Sequence, residues 1–472
     1  MPDNYRPICI IPIFYKAFSK VLLKRMETDL DRAQSRDQAG FRPGFCCEDH
    51  LFTIAMLVEK SNEYNIPCWV ATLDFKKAFD TMDHGAIWQA LDEQGIHPAY
   101  IATMRNLYAS QHAWVQTDVQ SRLFELHRGT KQGDPISPSL FNSVIESILK
   151  RVKKRWENKG WGVQLRWAGA EKLTNLRFAD DILLVARSLP QLKKMLSDIA
   201  KAVSEVGLEL HPKKTKVIHN NIGYGSAATS ATIDTMTIEI LNPDTPTSYL
   251  GRSLKLTDMH NEELSSRISK AWAKFGSFRS ELMDRNVSIK LRLKLFDTVV
   301  TPTVLYGSAT WAQTAQRHQL LQSTQRRMLR LIAHCHKSFP KEQYSADDYV
   351  DWIQNATKKT TALMAKHCIR DWNKEQLRRK FAWAGKVARC RDRRWTLEIL
   401  HWAPPALRRR GRPAARRADQ INKFLAAQLG VPVTENDWMD YAARRERWEA
   451  WRERFVRFTT TSAEIDDIAP AP

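Results

Sequence analysis

Through about residue 220 the chain mixes short continuous apolar runs with stretches whose apolar residues recur at the 3.6-residue period of a helix, the pattern of an α+β or α/β domain. The clearest strands are predicted at residues 69–75 (WVATLDF), at 176–178 leading into 182–186 (LRFADDILLVA), and at 216–219. Helical periods fall at 16–30, 49–62, 83–94, 139–156 and 189–206, with Asp83 placed to cap the third. Residues 222–247 are rich in Gly, Ser, Thr, Asn and Pro, so strands joined by turns are expected there, with a domain boundary near 225–260. From 261 to 338 the pattern is helical and broken at Pro302; beyond about 345 a further helical set is rich in Trp and Arg.

A length of 472 residues with 43% hydrophobic and 26% charged positions is enough for two or three filled cores and excludes disorder throughout. Lys and Arg number 73 against 52 Asp and Glu, a formal charge of +21, which points to a polyanionic partner, nucleic acid first. Residues 366–457 hold 24 Lys/Arg and 11 Asp/Glu, so +13 of that charge lies near the C-terminal end. Beyond residue 345 the chain also has 8 of its 16 Trp. Clustered Arg with interleaved aromatics suits phosphate contact plus base stacking; a helical domain with Trp in its core and a solvated basic face fits the same residues equally well. The run RRRGRPAARR at 408–417 is expected to be an exposed loop.

Seven Cys, two of them adjacent at Cys46 and Cys47, do not form a disulfide framework, so a reducing compartment is expected. No apolar run approaches the roughly 18 residues of a membrane span, and the N-terminus lacks a secretory pattern. The expected location is intracellular, in the nucleus and/or the cytoplasm. The first residues read as the interior of a domain, so the chain is expected to be a fragment.

Three carboxylates stand out because each closes an apolar strand, where a charge is costly unless compensated. Asp74 ends WVATLD, and Asp180 with Asp181 occupies the expected turn of an apolar hairpin. An adjacent acid pair alone is most simply a solvated turn. Beside a third carboxylate on a neighbouring strand it can hold divalent cations, which prefer oxygen ligands and substrate phosphates. Two ions about 3.5–4 Å apart would activate a 3′-oxygen and stabilise a leaving pyrophosphate.

An ordered series of motifs surrounds these acids: NYRPICIIPIFYKAFSKVLLKR (4–25), QAGFRPG (38–44), LDFKKAFDTMDH (73–84), RGTKQGDPISPSLFN (128–142), FADDILL (178–184), GLELHPKKTKV (207–217) and YLG (249–251). In this order, with Asp74 and Asp180 separated by 106 residues, the series resembles the reverse transcriptase of non-LTR (LINE-type) retrotransposons, here as a piece of a Pol-like polyprotein. Less specific likenesses continue through TPTVLYGSATW, RRMLRLIAHCHK, FAWAGKVARCRDRR and GRPAARRAD.

The resemblance implies an α+β right-hand polymerase fold, with fingers and palm in 1–255, a helical thumb-like region in 256–340 and a basic nucleic-acid-binding region in 341–472. It implies an RNA-directed DNA polymerase that adds deoxynucleoside triphosphates to a primer on template RNA and target DNA, without a membrane. Two Mg²⁺ ions, replaceable by Mn²⁺, would be held by Asp74, Asp180 and Asp181 with the Phe75 carbonyl. Phe79 would stand against the sugar and exclude a 2′-hydroxyl, Arg42 would meet the triphosphate, and Gln132 and Gly133 would line the nucleotide pocket, the glycine by allowing close backbone approach. Lys214 would protonate the departing pyrophosphate, although His211 stands where the family usually has Asn. Asp80, Asp83 and Asp134 read as turn and cap residues. No C-x-x-C occurs, and His334, Cys335 and His336 are poorly spaced for one ion. No nuclease constellation is evident, so a nick for priming would come from elsewhere. Two other readings remain: a decayed or domesticated nucleic-acid-binding copy of the fold, and an RNA-dependent RNA polymerase, against which Phe79 speaks.

Overall fold

Trp69–Leu73 is buried at every position, which suits a strand in the middle of a sheet rather than at its edge. In the computed structural model, which describes residues 9–109, 111–166, 171–223, 229–335, 346–411 and 414–466, this strand is β1 and has an antiparallel partner on each side. Residues 4–8 of the opening motif, 224–228 of the turn-rich stretch, His336 and Arg412 lie outside the described residues.

The chain divides into two compact units. The first contains Met1–Gly251, Lys255–Thr257 and Asp392–Arg410. Its other strands are the short pair β2 (His112–Ala113) and β3 (Phe124–Glu125), the hairpin β4 (Asn175–Phe178) and β5 (Asp181–Ala186), then β6 (Lys216–His219), β7 (Ser230–Ile233), β8 (Met236–Ile240) and the short β9 (Thr247–Tyr249). Six of them form one sheet in the order β4-β5-β1-β6-β8-β7, in which only β6 and β8 run parallel.

Seven helices precede or interleave these strands: α1 (Ile13–Ala33), α2 (Cys47–Glu63), α3 (Ala78–Thr81), α4 (His84–Glu93), α5 (Pro98–Tyr108), α6 (Ser137–Asn158) and α7 (Leu189–Ser204). Helices α6 and α7 turn stripes such as Phe141, Val144, Ile148 and Leu192, Leu196, Ile199 onto Trp69, Ala71, Ile182 and Leu184, forming one apolar core. At about 25 cal/mol per Å² of apolar surface, each such side chain contributes on the order of 2 kcal/mol. Asp83 precedes α4 as expected, but its side chain makes no capping bond; it pairs instead with Arg128 at 3.1 Å.

The segment Asp392–Arg410 belongs with the strands despite its distance in sequence. Its helix Trp395–His401 packs on α2, and the Lys60 ammonium donates to the carbonyls of Ile399, Leu400 and Trp402, where a helix end leaves acceptors unpaired. Arg394 donates to Asp49 at 3.0 Å, and the Trp395 indole donates to Asp37 at 2.7 Å.

The second unit comprises Arg252–Leu254, Asp258–Arg391 and Gly411–Pro472 and is helical. The regions expected to separate at residue 340 thus share one unit. Helix Ile289–Val304 continues through Pro302, which stands in its last turn and there removes a single backbone donor. Of the eight late Trp, seven are buried: Trp372, Trp383, Trp395, Trp402, Trp438, Trp448 and Trp451. Phe381 and Trp448 stack at 4.0 Å, and the Trp448 indole donates to the Phe381 carbonyl at 2.8 Å. These seven rings are core, which favours the second of the two readings of the Trp and Arg pattern, a helical domain with Trp inside, over a base-stacking surface. The 408–417 run is also not uniformly a loop surface: Arg408 to Arg410 are exposed, whereas Arg417 is buried and donates to the Ala309 carbonyl at 3.0 Å.

Candidate active site

The register of the central sheet decides where the acids fall. Leu73 pairs with Ile182 across β1 and β5, so Asp74, the next residue, leaves β1 at the end where the β4–β5 hairpin turns. Phe178 pairs with Asp181, and the two residues that close the hairpin are Ala179 and Asp180. Asp74 and Asp180 consequently line one cavity of about 520 Å³. Phe75, Phe79, Asp80, Gln132, Gly133 and Lys214 share its wall.

Lys214 reaches this wall because the His211 amide donates to the Asp74 carbonyl at 2.8 Å and the turn that follows is closed by Lys214 and Thr215 amides on the His211 carbonyl. The anchoring group at position 211 is backbone, which any residue supplies, so the departure from Asn leaves the register intact. The Lys214 ammonium stands 3.5 Å from Asp74 Oδ2, and that buried oxygen accepts no hydrogen bond.

Phe79 is half-buried, stacks on Phe141 at 4.6 Å and faces the cavity, so it is at once a packing residue and a wall residue. Gln132 donates to both oxygens of Asp80, at 3.0 and 3.3 Å. Gly133 has φ +104°, and a Cβ there would meet only the Cys9 carbonyl at 3.4 Å. The backbone conformation at this position by itself calls for glycine. Asp134 accepts from the Ser19 hydroxyl on α1 and from the Ile136 amide at 3.3 Å, combining its expected turn role with a tie to a distant helix. Nearby, Lys131 donates to the Tyr15 hydroxyl at 3.1 Å, and burial with the Asp134 charge pushes that hydroxyl's pKa up.

Two expected residues lie elsewhere. Arg42 is not on the cavity wall: it donates to Asp31 Oδ1 at 2.7 Å and to the carbonyls of Ser35, Gln38 and Asp31, with its guanidinium over the Phe45 ring. Asp181 is exposed and also absent from the wall. Burial, and then the Asp181 charge, raise the pKa of Tyr249 in the YLG segment.

Among the described residues no three His, Cys, Asp or Glu side chains gather closely enough to hold a metal ion. Asp74 and Asp180 supply two carboxylates to one cavity, one with a buried, unbonded oxygen, which is a partial donor set of the kind Mg²⁺ completes with water and substrate phosphates. Sequence reasoning also missed Gln38 and Asn142. Both are buried amides that bond to the loop supporting Asp180, and both sit inside motifs, QAGF and SLFN, that offered no charge to mark them.

Residues 2–254 match the family described as reverse transcriptase (RNA-dependent DNA polymerase). A transposon-derived protein of Caenorhabditis elegans is 29% identical over 298 residues, covering 62% of this chain and 98% of that protein. The retrovirus-related Pol polyprotein of the type-1 retrotransposable element R2 from Nasonia vitripennis is 32% identical over 222 residues, covering 45% of this chain but 20% of the polyprotein. The retrovirus-related Pol polyprotein of the type-2 retrotransposable element R2DM from Drosophila melanogaster is 28% identical over 214 residues, covering 45% of this chain and 19% of its own length. The chain thus spans about a fifth of the length of these two Pol polyproteins. With more than half of its length matched, and with Asp74 and Asp180 brought to one cavity by the sheet, the chain belongs to the reverse transcriptase family.

Proposed function

We propose that this chain is the RNA-directed DNA polymerase of a non-LTR retrotransposon, copying template RNA by adding deoxynucleotides to a primer 3′-hydroxyl. The observation that carries the reading is that Asp74 and Asp180, from two paired strands, share a cavity walled by Gln132, Gly133 and Phe79. In this reading Asp74, Asp180 and the Phe75 carbonyl hold the divalent cations, Mg²⁺ or in its place Mn²⁺. When bound, these ions supply Lewis-acid chemistry, favouring the ionised 3′-oxygen and offsetting charge on the pyrophosphate.

The chain's own groups do the rest. The cavity orients the triphosphate so that the primer 3′-oxygen bonds to the α-phosphorus while the bond from that phosphorus to the α,β-bridging oxygen breaks. Lys214 holds a proton on its Nζ, beside Asp74, for the departing pyrophosphate oxygen. Phe79, backed by Phe141, is a rigid wall against a 2′-hydroxyl. Asp181 acts on the hairpin from outside the cavity, and Arg42 acts as a brace for α1 and the QAGF loop. Nucleic acid follows the basic surface, and the working site is inside the cell, in nucleus or cytoplasm. A nick for priming comes from a nuclease supplied elsewhere.

Primer extension on poly(rA)/oligo(dT) with Mg²⁺ tests this reading. The wild type should extend the primer and Asp180→Asn should fall to background; extension that survives Asp180→Asn overturns the catalytic assignment. RNA binding by a wild type that does not extend would favour a decayed copy.

A further inference from the structure

The turn that carries Asp180 is closed by the Phe178–Asp181 pair, and Ala179 in it takes φ +56°, a left-handed conformation that L side chains seldom adopt. Such a conformation persists only where the surroundings over-determine it. Here the surroundings are two amide side chains from motifs far apart in sequence. The Ala179 N–H donates to Gln38 Oε1 at 3.0 Å, and the Gly40 N–H donates to the same oxygen at 2.8 Å. Gln38 Nε2 donates to Asn142 Oδ1 at 3.1 Å, and Asn142 Nδ2 donates to the Gly40 carbonyl at 2.8 Å, closing a ring.

Every member of the ring is buried, and the loop is pressed against the hairpin backbone: a Cβ at Gly40 would stand 2.5 Å from the Ala179 nitrogen and 2.9 Å from the Phe178 carbonyl carbon. The Ala39 amide donates to the Arg177 carbonyl at 2.9 Å, and the Arg177 amide to the Asp37 carbonyl at 2.7 Å, so the loop adds a short ladder to the outer face of β4. Asn142 is anchored in α6, the same helix that presents Phe141 to Phe79.

We propose that Gln38 and Asn142 are positioning residues for nucleotide addition: through Ala179 they hold the hairpin turn so that Asp180 opposes Asp74 before substrate arrives. The inference rests on the polymerase reading for its activity arm, but not for its other two. Groups of this kind, which orient ligands without touching the metal, typically change metal affinity or activity by about 10- to 100-fold when removed.

The test uses the full chain with Gln38→Met, which keeps volume and loses the acceptor, and Asn142→Ala, which removes the support from Gln38 and leaves its bond to Ala179 in place. Three quantities are read: hydrogen exchange of the peptide spanning residues 176–184, Mn²⁺ affinity by electron paramagnetic resonance with primer–template and a non-hydrolysable dTTP analogue, and steady-state extension. For Gln38→Met the expected result is faster exchange in that peptide with β1 unchanged, Mn²⁺ affinity lower by about 10-fold, and kcat lower by 10- to 100-fold at a KM for dTTP within about twofold. Asn142→Ala should move all three the same way by less, and it decides the matter if Gln38→Met does not fold. Faster local exchange with unchanged Mn²⁺ affinity overturns the proposal, as does loss of activity that tracks only a global fall in protection. Should the wild type not extend, the polymerase reading fails while exchange and Mn²⁺ binding still decide this one.

Discussion

Trp395 donates its indole N–H to a carboxylate oxygen of Asp37 358 residues earlier in the chain, at 2.7 Å and in full burial. The other Asp37 oxygen accepts from Lys153 at 2.6 Å and from Asn175 at 3.3 Å. Burial alone would raise the Asp37 carboxyl pKa; the Lys153 and Arg177 charges beside it hold it below the usual carboxylate range. Trp395→Phe keeps an aromatic ring but loses the indole N–H and strands an acceptor of a buried charge, which should cost about 1–3 kcal/mol of stability. Trp402→Phe is the comparison, since its indole nitrogen makes no hydrogen bond, and it should cost under about 1 kcal/mol. Urea denaturation of both variants checks this; equal losses would show that the Asp37 bond contributes little.

Arg42 makes the opposite case, a residue whose chemistry suits phosphate but whose donors are already engaged. Arg42→Ala should leave the KM for dNTPs within about twofold and lower stability by roughly 1.5–3 kcal/mol, the range for hydrogen bonds to charged groups. A rise in KM of tenfold or more (~1.4 kcal/mol) without loss of stability would return Arg42 to the nucleotide site.

Phe79 stacks on Phe141 and forms cavity wall, so shortening it should act twice. Phe79→Val should raise the efficiency of ribonucleotide relative to deoxynucleotide incorporation on the order of 10- to 100-fold, the scale on which a pocket discriminates by shape alone. It should also lower the melting temperature through the lost ring contact. Unchanged sugar selectivity would assign Phe79 to packing only.

His50 sets an acid limit. Its Nε2 lies 2.8 Å from the Arg177 carbonyl, to which it donates, and burial pushes its pKa down to about 4 from the usual 6.5. The unfolded chain binds this proton between those values and the folded chain does not, so stability is fully present above pH 6.5 and falls as pH drops toward 4. The loss is at most roughly 3 kcal/mol from this group. His50→Gln, which keeps an N–H donor, should flatten the decline in urea titrations at pH 7, 5.5 and 4.5; an unaltered slope would remove His50 as its source.

The central sheet was legible because β1, β5 and β6 are short apolar runs ended by polar turns, and because Asp74 and Asp180 had to be compensated somewhere. Register was not legible, because β1 and β5 are buried on both faces and carry no alternation of apolar and polar positions to mark it. The late Trp residues were not legible in the same way: a ring beside an Arg has one composition whether it stacks on a base or, like Trp448, on Phe381. Arg42 was obscured for a related reason, since a guanidinium fork fits a carboxylate and carbonyls as well as phosphate. Gln38 and Asn142 are neutral and left no electrostatic trace, and their meaning appears only when a loop and a helix 104 residues apart are seen to touch. Nor does local pattern tell that residues 392–410 rejoin the first unit, because their partners, Asp37, Asp49 and Lys60, lie more than 300 positions away.

That return has a consequence for how the molecule is made. Chains emerge from the ribosome N-terminus first, and domains fold as they emerge. When residue 254 has been synthesised the nascent chain already carries both acids, the hairpin and every loop around them, yet Asp37 still waits for an indole and Lys60 for three carbonyls that are some 140 codons downstream. The first unit is therefore finished only after most of the second has been translated. A message broken before the codon for Trp395 yields the full set of acids on a domain that never receives its closing helix.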